Sequence, residues 1–452
     1  MQDTNRASTF SGGVVALFGT QVFGAITGMV SGILLARLLG PAGKGDYYIL
    51  VLIPATAMVV LQLGIPRAFG FFSARGRTTG IIAKANVLTL AMSVAAILIL
   101  LALLPLFRQS LLDGIEPQQV LFAFIAFPLA LNAAYMTAIV MGRKAVRWYS
   151  SVNIAYSIGG IVLLVAILGG LGPSVNGAIL VFLGSSLILT IGSFIAARRV
   201  ATADTGGESV SYRELFRYGL PFFPGSLAAF FSYRVDAFLI AFLITNSAEP
   251  LGYYSLAVGF AEMVFFFPRA VATLFFPHVA GSPREDSDRQ VAMMSRVTIL
   301  ITGTFAGLMI PGAVVLVWLI LPAFEPSLLP LVVLLPGVVA FSATFVLSGY
   351  LNGIDRPGIT STAALISLTV NIAANMILIP RLGIVGASAA SLISYSLSSV
   401  LLTAIAARLT GTPLHDFWVP RVSDIRFVAA TSTDLVRRLM RRPSAIAIDH
   451  GA

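Results

Sequence analysis

Residues 230–277 read FFSYRVDAFLIAFLITNSAEPLGYYSLAVGFAEMVFFFPRAVATLFFP, two long apolar runs joined by a turn at 245–252. Four charges stand inside them: Arg234, Asp236, Glu262 and Arg269. Each run is long enough to cross a bilayer, which takes ~20 residues of helix. A charge in hydrocarbon costs roughly 2.5–3.5 kcal/mol on insertion scales, so such residues face a protein interior or a wet cavity. The stretch therefore predicts a polar, partly cationic chamber inside a helical membrane protein.

The rest of the chain agrees with that constraint. Of 452 residues, 57% are hydrophobic and 11% charged, where a soluble protein carries about 25% charged residues. The pattern predicts an all-α polytopic membrane protein of about twelve transmembrane helices. With no cysteine, disulfides and thiolate metal sites are excluded. The net charge of +10 does not point to nucleic acid, because the basic residues sit in loops between apolar spans. The first apolar run, 13–36, is too long for the core of a cleavable signal peptide.

Loop charge sets the expected orientation. With the N-terminus in the cytoplasm, the cytoplasmic loops and the two termini hold 23 of the 29 Lys and Arg residues. The opposite side holds four: Arg37, Lys44, Arg108 and Arg381. That asymmetry predicts both termini inside. The far-side loops, such as 172–175 and 382–383, are very short. The longest internal loop, near 198–218, divides the chain. The expected organisation is an N-terminal six-helix bundle (1–200), a cytoplasmic linker (201–217), a C-terminal six-helix bundle (218–409) and a basic tail (410–452).

The two halves resemble each other. Gly45-Asp46-Tyr47-Tyr48 answers Gly252-Tyr253-Tyr254 in part, and Pro66-Arg67-Ala68 answers Pro268-Arg269-Ala270. Six spans is an even number, so the repeats run in the same direction, about an axis along the membrane normal, with a site between them. Gly24, Gly28 and Gly32 of the first span fall at four-residue spacing, which predicts close helix packing. In the tail, residues 421–442 pattern as an amphipathic helix ending in Arg437, Arg438, Arg441 and Arg442, which fits equally a surface for anionic lipid and a partly disordered tail whose charges satisfy topology.

Several motifs are excluded. Gly40–Asp46, GPAGKGD, has glycine spacing too short for a phosphate loop and no Ser or Thr after Lys44; it reads as a turn between the first two spans. His278, His415 and His450 are scattered and form no metal cluster. There is no nucleotide motif and no Ser/His/Asp arrangement. A transporter rather than an enzyme is expected, without metal or cofactor.

The intramembrane charges carry the functional reading. Arg234 and Glu262 lie at one depth, ~21–22 Å from the cytoplasmic end by helix rise. An internal ion pair and a ligand or coupling role both fit Arg234, Asp236 and Glu262. Arg67 and Arg269 have no acid nearby in sequence and lie near the cytoplasmic mouth, where ligand binding and snorkelling to the headgroups both fit. An arginine facing a chamber suits a phosphate, which its planar fork binds through two hydrogen bonds.

With these residues in view, the sequence resembles the polysaccharide biosynthesis protein family, the oligosaccharide-lipid flippase branch of the multidrug/oligosaccharidyl-lipid/polysaccharide (MOP) exporter superfamily. The stretches that carry the resemblance are LLARLLGPAGKGDYYIL with LGIPRAFGFF, YRVDAFLIAFL with LGYYSLA, and NGIDRPGI with RLGIVGASAASLIS. They cover nearly the whole length to about Arg408. The resemblance implies a MATE/MOP-like, V-shaped pair of six-helix bundles in the bacterial cytoplasmic membrane. It implies transbilayer movement of an undecaprenyl-pyrophosphate-linked oligosaccharide, with Arg67, Arg234 and Arg269 meeting the pyrophosphate. Membrane polysaccharide-assembly proteins are its expected partners. Twelve spans rather than fourteen argues against a lipid II flippase.

Two other functions compete. A drug/cation antiporter of the same fold would want an acid-dominated cavity, and Asp236 and Glu262 keep it in play. A membrane glycan polymerase or ligase would need a catalytic far-side loop, for which the loops are too short.

Overall fold

The computed structural model describes residues 2–107, 112, 114–201 and 208–426. Arg108, Asp113, linker residues 202–207 and the tail from 427 onward, including Arg437, Arg438, Arg441 and Arg442, lie outside the described residues. Helix follows helix through the first half: α1 (Gln2–Leu61), α2 (Ile65–Ala74), α3 (Ile81–Phe107), α4 (Pro117–Phe124), α5 (Ala126–Gly142), α6 (Val146–Gly170) and α7 (Val175–Ala201). The second half holds α8 (Tyr212–Gly219), α9 (Phe223–Leu243), α10 (Ala248–Val264), α11 (Phe266–Gly281), α12 (Arg284–Ile320), α13 (Leu328–Gly353), α14 (Pro357–Leu382) and α15 (Ile384–Thr410).

Among the described residues, eleven helical stretches are long and apolar enough to span a membrane. The first of them, Gly19–Leu61, has 43 residues. As a straight rod it would be ~65 Å long, about twice the ~30 Å hydrocarbon thickness. It is not straight. Gly40 (φ 69°, ψ 179°) breaks the helix, in a left-handed region open to glycine because it has no Cβ. Pro41 opens the second arm, where a missing N–H costs nothing. Counted as two arms, Gly19–Leu61 brings the stretches of membrane length among the described residues to twelve. GPAGKGD is thus one sharp corner followed at once by helix, not a loop. The turn expected at 245–252 is likewise shorter, since α10 begins at Ala248.

Prolines mark the other breaks. Pro66, Pro128 and Pro268 each lack the N–H that would bond the carbonyl four residues back. The spans containing them break one turn upstream, before Ile65, at Ile125 and at Phe265. Pro66 and Pro268 are repeat equivalents, so Arg67 and Arg269 both stand in the first turn of a new helix.

The apolar residues divide by face. Leu98, Val162, Leu308 and Leu319 are exposed on outward faces, which suits contact with lipid. The largest buried cluster straddles both halves, joining Ala36, Ile49 and Leu50 to Tyr254, Ala257 and Ala261. Two further cores lie nearer the basic loops: Ile65, Phe69 and Tyr135 of the first half with Leu215 of α8 in one, and Val279, Val346, Tyr350 and Leu402, all of the second half, in the other. The halves therefore share a core at the end where Gly40 turns the chain. At the end where the basic loops gather the cores are two, and α8 carries the second half onto the first. The result is a multi-pass membrane protein built as a V that opens toward its basic end.

Candidate functional site

The chamber lies between the halves and has two seams. At the back, α2 rests on α8. Gly64 caps α2 in a left-handed conformation (φ 69°), and a Cβ there would stand 2.2 Å from the Gly219 carbonyl oxygen. Arg77 fastens the same seam, donating to both Glu214 oxygens at 2.8 and 3.3 Å and to the Ser209 carbonyl at 2.9 Å. Farther from the basic end the back seam holds an apolar cavity of about 470 Å³, between Val60, Leu103, Phe231 and Phe242.

At the front, the first arm of α1 faces α10 and α11 across a groove. Gly24, Gly28 and Gly32 form one wall, with Gly259, Glu262 and Arg269 opposite. A Cβ on Gly28 or Gly32 would meet nothing within 4 Å. The expected tight packing of this glycine stripe is not what the fold does with it; the facing helices stand apart because the V opens here. The upper part of the groove encloses about 280 Å³. Below it a mouth of about 580 Å³ is lined by Gln21, Gly24, Arg269 and Thr273.

The charges expected to share one chamber occupy distinct places. Arg234 donates to both Glu262 oxygens, at 2.7 and 3.3 Å, and reaches Tyr48 Oη of the other half at 3.5 Å. Both members of the pair are about a quarter to a third exposed, 27% and 30%, so the pair stands at the edge of the groove. Asp236 turns away from it. Buried between α9, α10 and α15, it accepts from the Tyr254 hydroxyl, from Ser391 Oγ at 3.0 Å and from the Ala237 N–H at 3.2 Å. Asn371 Nδ2 donates to Ser394 Oγ at 3.0 Å. Asn375 in turn donates to Asn371 Oδ1 at 3.0 Å, extending this polar cluster.

Arg269 is exposed at the mouth, its guanidinium 5.7–5.9 Å from the ring centres of Tyr233, Phe265 and Phe345. Arg67 lies on the other seam, 4.7 Å over Phe222. Among the described residues neither forms an ion pair. Arg269 therefore stands where the halves part and Arg67 where they are in contact.

One cation in the site is new. Lys44, assigned to a far-side loop from sequence, is in the first turn of the second arm of α1. It is only 9% exposed, lines the upper groove and donates to the Gly32 carbonyl at 3.4 Å. A lysine one turn into a long apolar helix was the available signal. Lys44, at Gly32, and Arg269, beside Gly24, line the groove toward its two ends.

Comparisons with known proteins bear on the family and the fold. The polysaccharide biosynthesis protein family matches over residues 11–280. A probable low-salt glycan biosynthesis flippase of Haloferax volcanii, Agl15, is 22% identical over 395 residues, 86% of this chain and 81% of its own. Among solved structures, an inward-facing MATE multidrug transporter of the MOP superfamily superposes with a TM-score of 0.67 at 15% identity, covering 86% of this chain and 94% of that one. The lipid II flippase MurJ, in an inward closed conformation, superposes with a TM-score of 0.62 at 15% identity, over 94% and 100%. With more than half its length matched to one family and the two-bundle fold of both transporters, the chain belongs to the polysaccharide biosynthesis protein family.

Proposed function

We propose that the chain is a flippase of glycan biosynthesis. It carries an undecaprenyl-pyrophosphate-linked oligosaccharide from the cytoplasmic to the outer leaflet of a bacterial inner membrane by alternating access. The observation that carries the reading is the front groove: glycine-walled, cationic at both ends and widest at the basic end. The positive-inside rule makes the basic end cytoplasmic, with both termini inside. A pyrophosphate arriving from that leaflet meets Arg269 first, whose fork suits it. The glycines leave the path free of side chains. Arg67 holds Phe222 on the closed seam in this state, so the two arginines act at different seams rather than as one loading clamp. Arg234 is occupied by Glu262, which leaves Asp236 and its hydroxyl partners as the coupling group. Anionic lipid at the tail and membrane polysaccharide-assembly proteins complete the proposed partners.

A drug/cation antiporter fits less well, because Glu262 is the single carboxylate among the groove-lining residues and it is already bonded to Arg234. The test is reconstitution in liposomes with a fluorescent lipid-pyrophosphate-linked glycan. Arg269→Ala is expected to slow flipping about tenfold or more, the size of a lost charge-assisted hydrogen bond, with Arg269→Lys between. Wild-type flipping in Arg269→Ala would overturn the reading.

A further inference from the structure

A second cavity, of about 400 Å³, lies inside the C-terminal half between α9, α11, α13, α14 and α15. Its size is within the ~300–1,000 Å³ of small-molecule pockets. Its lining combines an aromatic group, Tyr233, Phe341, Phe345 and Tyr395, with neutral hydroxyl and amide side chains such as Thr344, Ser348, Ser367 and Asn371. No charged side chain is among its lining residues.

Two of its hydroxyls are incompletely used. Thr344 Oγ1 and Ser367 Oγ have no hydrogen-bond partner and are themselves shut off from the cavity, so each meets a ligand there by turning about χ1. A buried hydroxyl without a partner costs about 1–3 kcal/mol, and an apolar residue would pack a membrane bundle without that cost. Neutral donors and acceptors beside aromatic faces match a polyhydroxy ring, whose hydroxyls take the hydrogen bonds and whose C–H faces lie on the rings. They do not match a phosphate, which would require an opposite charge; an organic cation would find attraction on the rings but no use for the hydroxyl and amide groups around them.

The cavity adjoins the mouth of the front groove. Ala272, Thr273 and Phe345 line both spaces. The Arg269 guanidinium lies 5.9 Å from the ring centres of both Tyr233 and Phe345. We infer that this cavity is a sugar subsite that takes the pyrophosphate-proximal residue of the glycan while Arg269 holds the phosphate. The inference rests on the flippase reading and adds to it where the protein distinguishes a glycosylated lipid from a bare one.

The experiment uses the purified full-length protein and four probes: farnesyl pyrophosphate, and farnesyl pyrophosphate linked to glucose, galactose or N-acetylglucosamine. Wild type is expected to bind at least one glycosylated probe about tenfold more tightly than the bare one, the scale of one or two hydrogen bonds gained. Thr344→Val with Ser367→Ala should erase that preference and leave affinity for the bare probe unchanged. Arg269→Ala should weaken all four probes alike. Equal wild-type affinity for all four overturns the sugar subsite without any variant having to fold. A preference that survives in the Thr344→Val, Ser367→Ala protein also overturns it. Absence of binding to every probe overturns the flippase reading itself.

Discussion

Gly45 and Gly252 occupy equivalent places in the two repeats, and each packs against the backbone of the other half. A Cβ on Gly45 would stand 1.7 Å from the Ala248 carbonyl oxygen, and one on Gly252 would stand 1.9 Å from the Pro41 carbonyl oxygen. Each glycine meets the residue four positions before its counterpart, which is the reciprocity of a two-fold contact. This contact seals the chamber at the end opposite the basic loops.

Alanine at either glycine should loosen that seal. Overpacking typically costs about 1–3 kcal/mol. The cost falls only on the state in which the contact is made, so Gly45→Ala or Gly252→Ala is expected to shift the population toward opening at that end. The chain has no cysteine, so single cysteines introduced along the groove report the shift directly. Unchanged labelling from the outer side in both variants would show that the contact does not gate the chamber.

Exchanging Arg234 and Glu262 tests the pair at the edge of the groove. Either single substitution strands a charge. The cost should fall below the ~3–5 kcal/mol of a fully buried broken pair, since the partners are 27% and 30% exposed. The double exchange should recover most of the lost thermal stability in detergent. Failure to recover would mean that Tyr48, 3.5 Å from Arg234, fixes the polarity of the pair.

Lys44 should separate stability from transport. Among the described residues it bonds the Gly32 carbonyl, at 3.4 Å, and no carboxylate, and a charge so buried is destabilising. Lys44→Met is therefore expected to leave the melting temperature unchanged or higher. If Lys44 receives the pyrophosphate at the outer end of the groove, flipping should fall about tenfold in the same variant. Flipping at the wild-type rate would exclude that role.

The segment after α15 is pinned by Arg296, which donates to Asp424 at 2.7 and 3.2 Å and also to the Asp416 carbonyl. Phe417 is buried beside this pair in the C-terminal core. The Arg296 hydrogen bond holds the Asp424 carboxyl below the usual carboxylate range. A carboxyl depressed on folding stabilises fully above its unfolded value of ~3.9 and loses that contribution as pH falls through the lower folded value. Protection of 414–424 in hydrogen exchange should thus be flat from neutral pH to about pH 5 and fall only below ~4. Asp424→Ala should expose the segment at neutral pH, because it leaves Arg296 buried and uncompensated. A segment that loosens between pH 6 and 7 would require another titrating group.

Much of the architecture was legible in the residues because its causes are local. Apolar runs of membrane length fix the spans, since a helix is the segment that satisfies its own backbone in hydrocarbon. Pro66, Pro128 and Pro268 favour the breaks beside them through a missing N–H, while Pro54, Pro311 and Pro336 lie inside unbroken helices, so the proline marks where a break can come and packing selects among them. The repeat was visible because two copies of one packing problem retain related glycines and prolines. The same-depth placement of Arg234 and Glu262 followed from helix rise, and the structure pairs them.

What the residues could not decide was which helix faces meet. GxxxGxxxG serves a tight contact or an open wall equally well, and only the divergence of the V leaves Gly28 and Gly32 uncovered. Asp236 lies two residues from Arg234, yet helical rotation turns it into the bundle toward Tyr254 and Ser391. Arg67 and Arg269 are alike in sequence and differ in circumstance, because one seam of a two-fold pair is closed and the other open. The neutral cavity is gathered from five helices, no one of which carries a motif for it. Spans, candidate breaks and orientation signals are properties of a segment and its solvent. Pairing, burial and access depend on distances between segments far apart in the chain, and packing alone sets those.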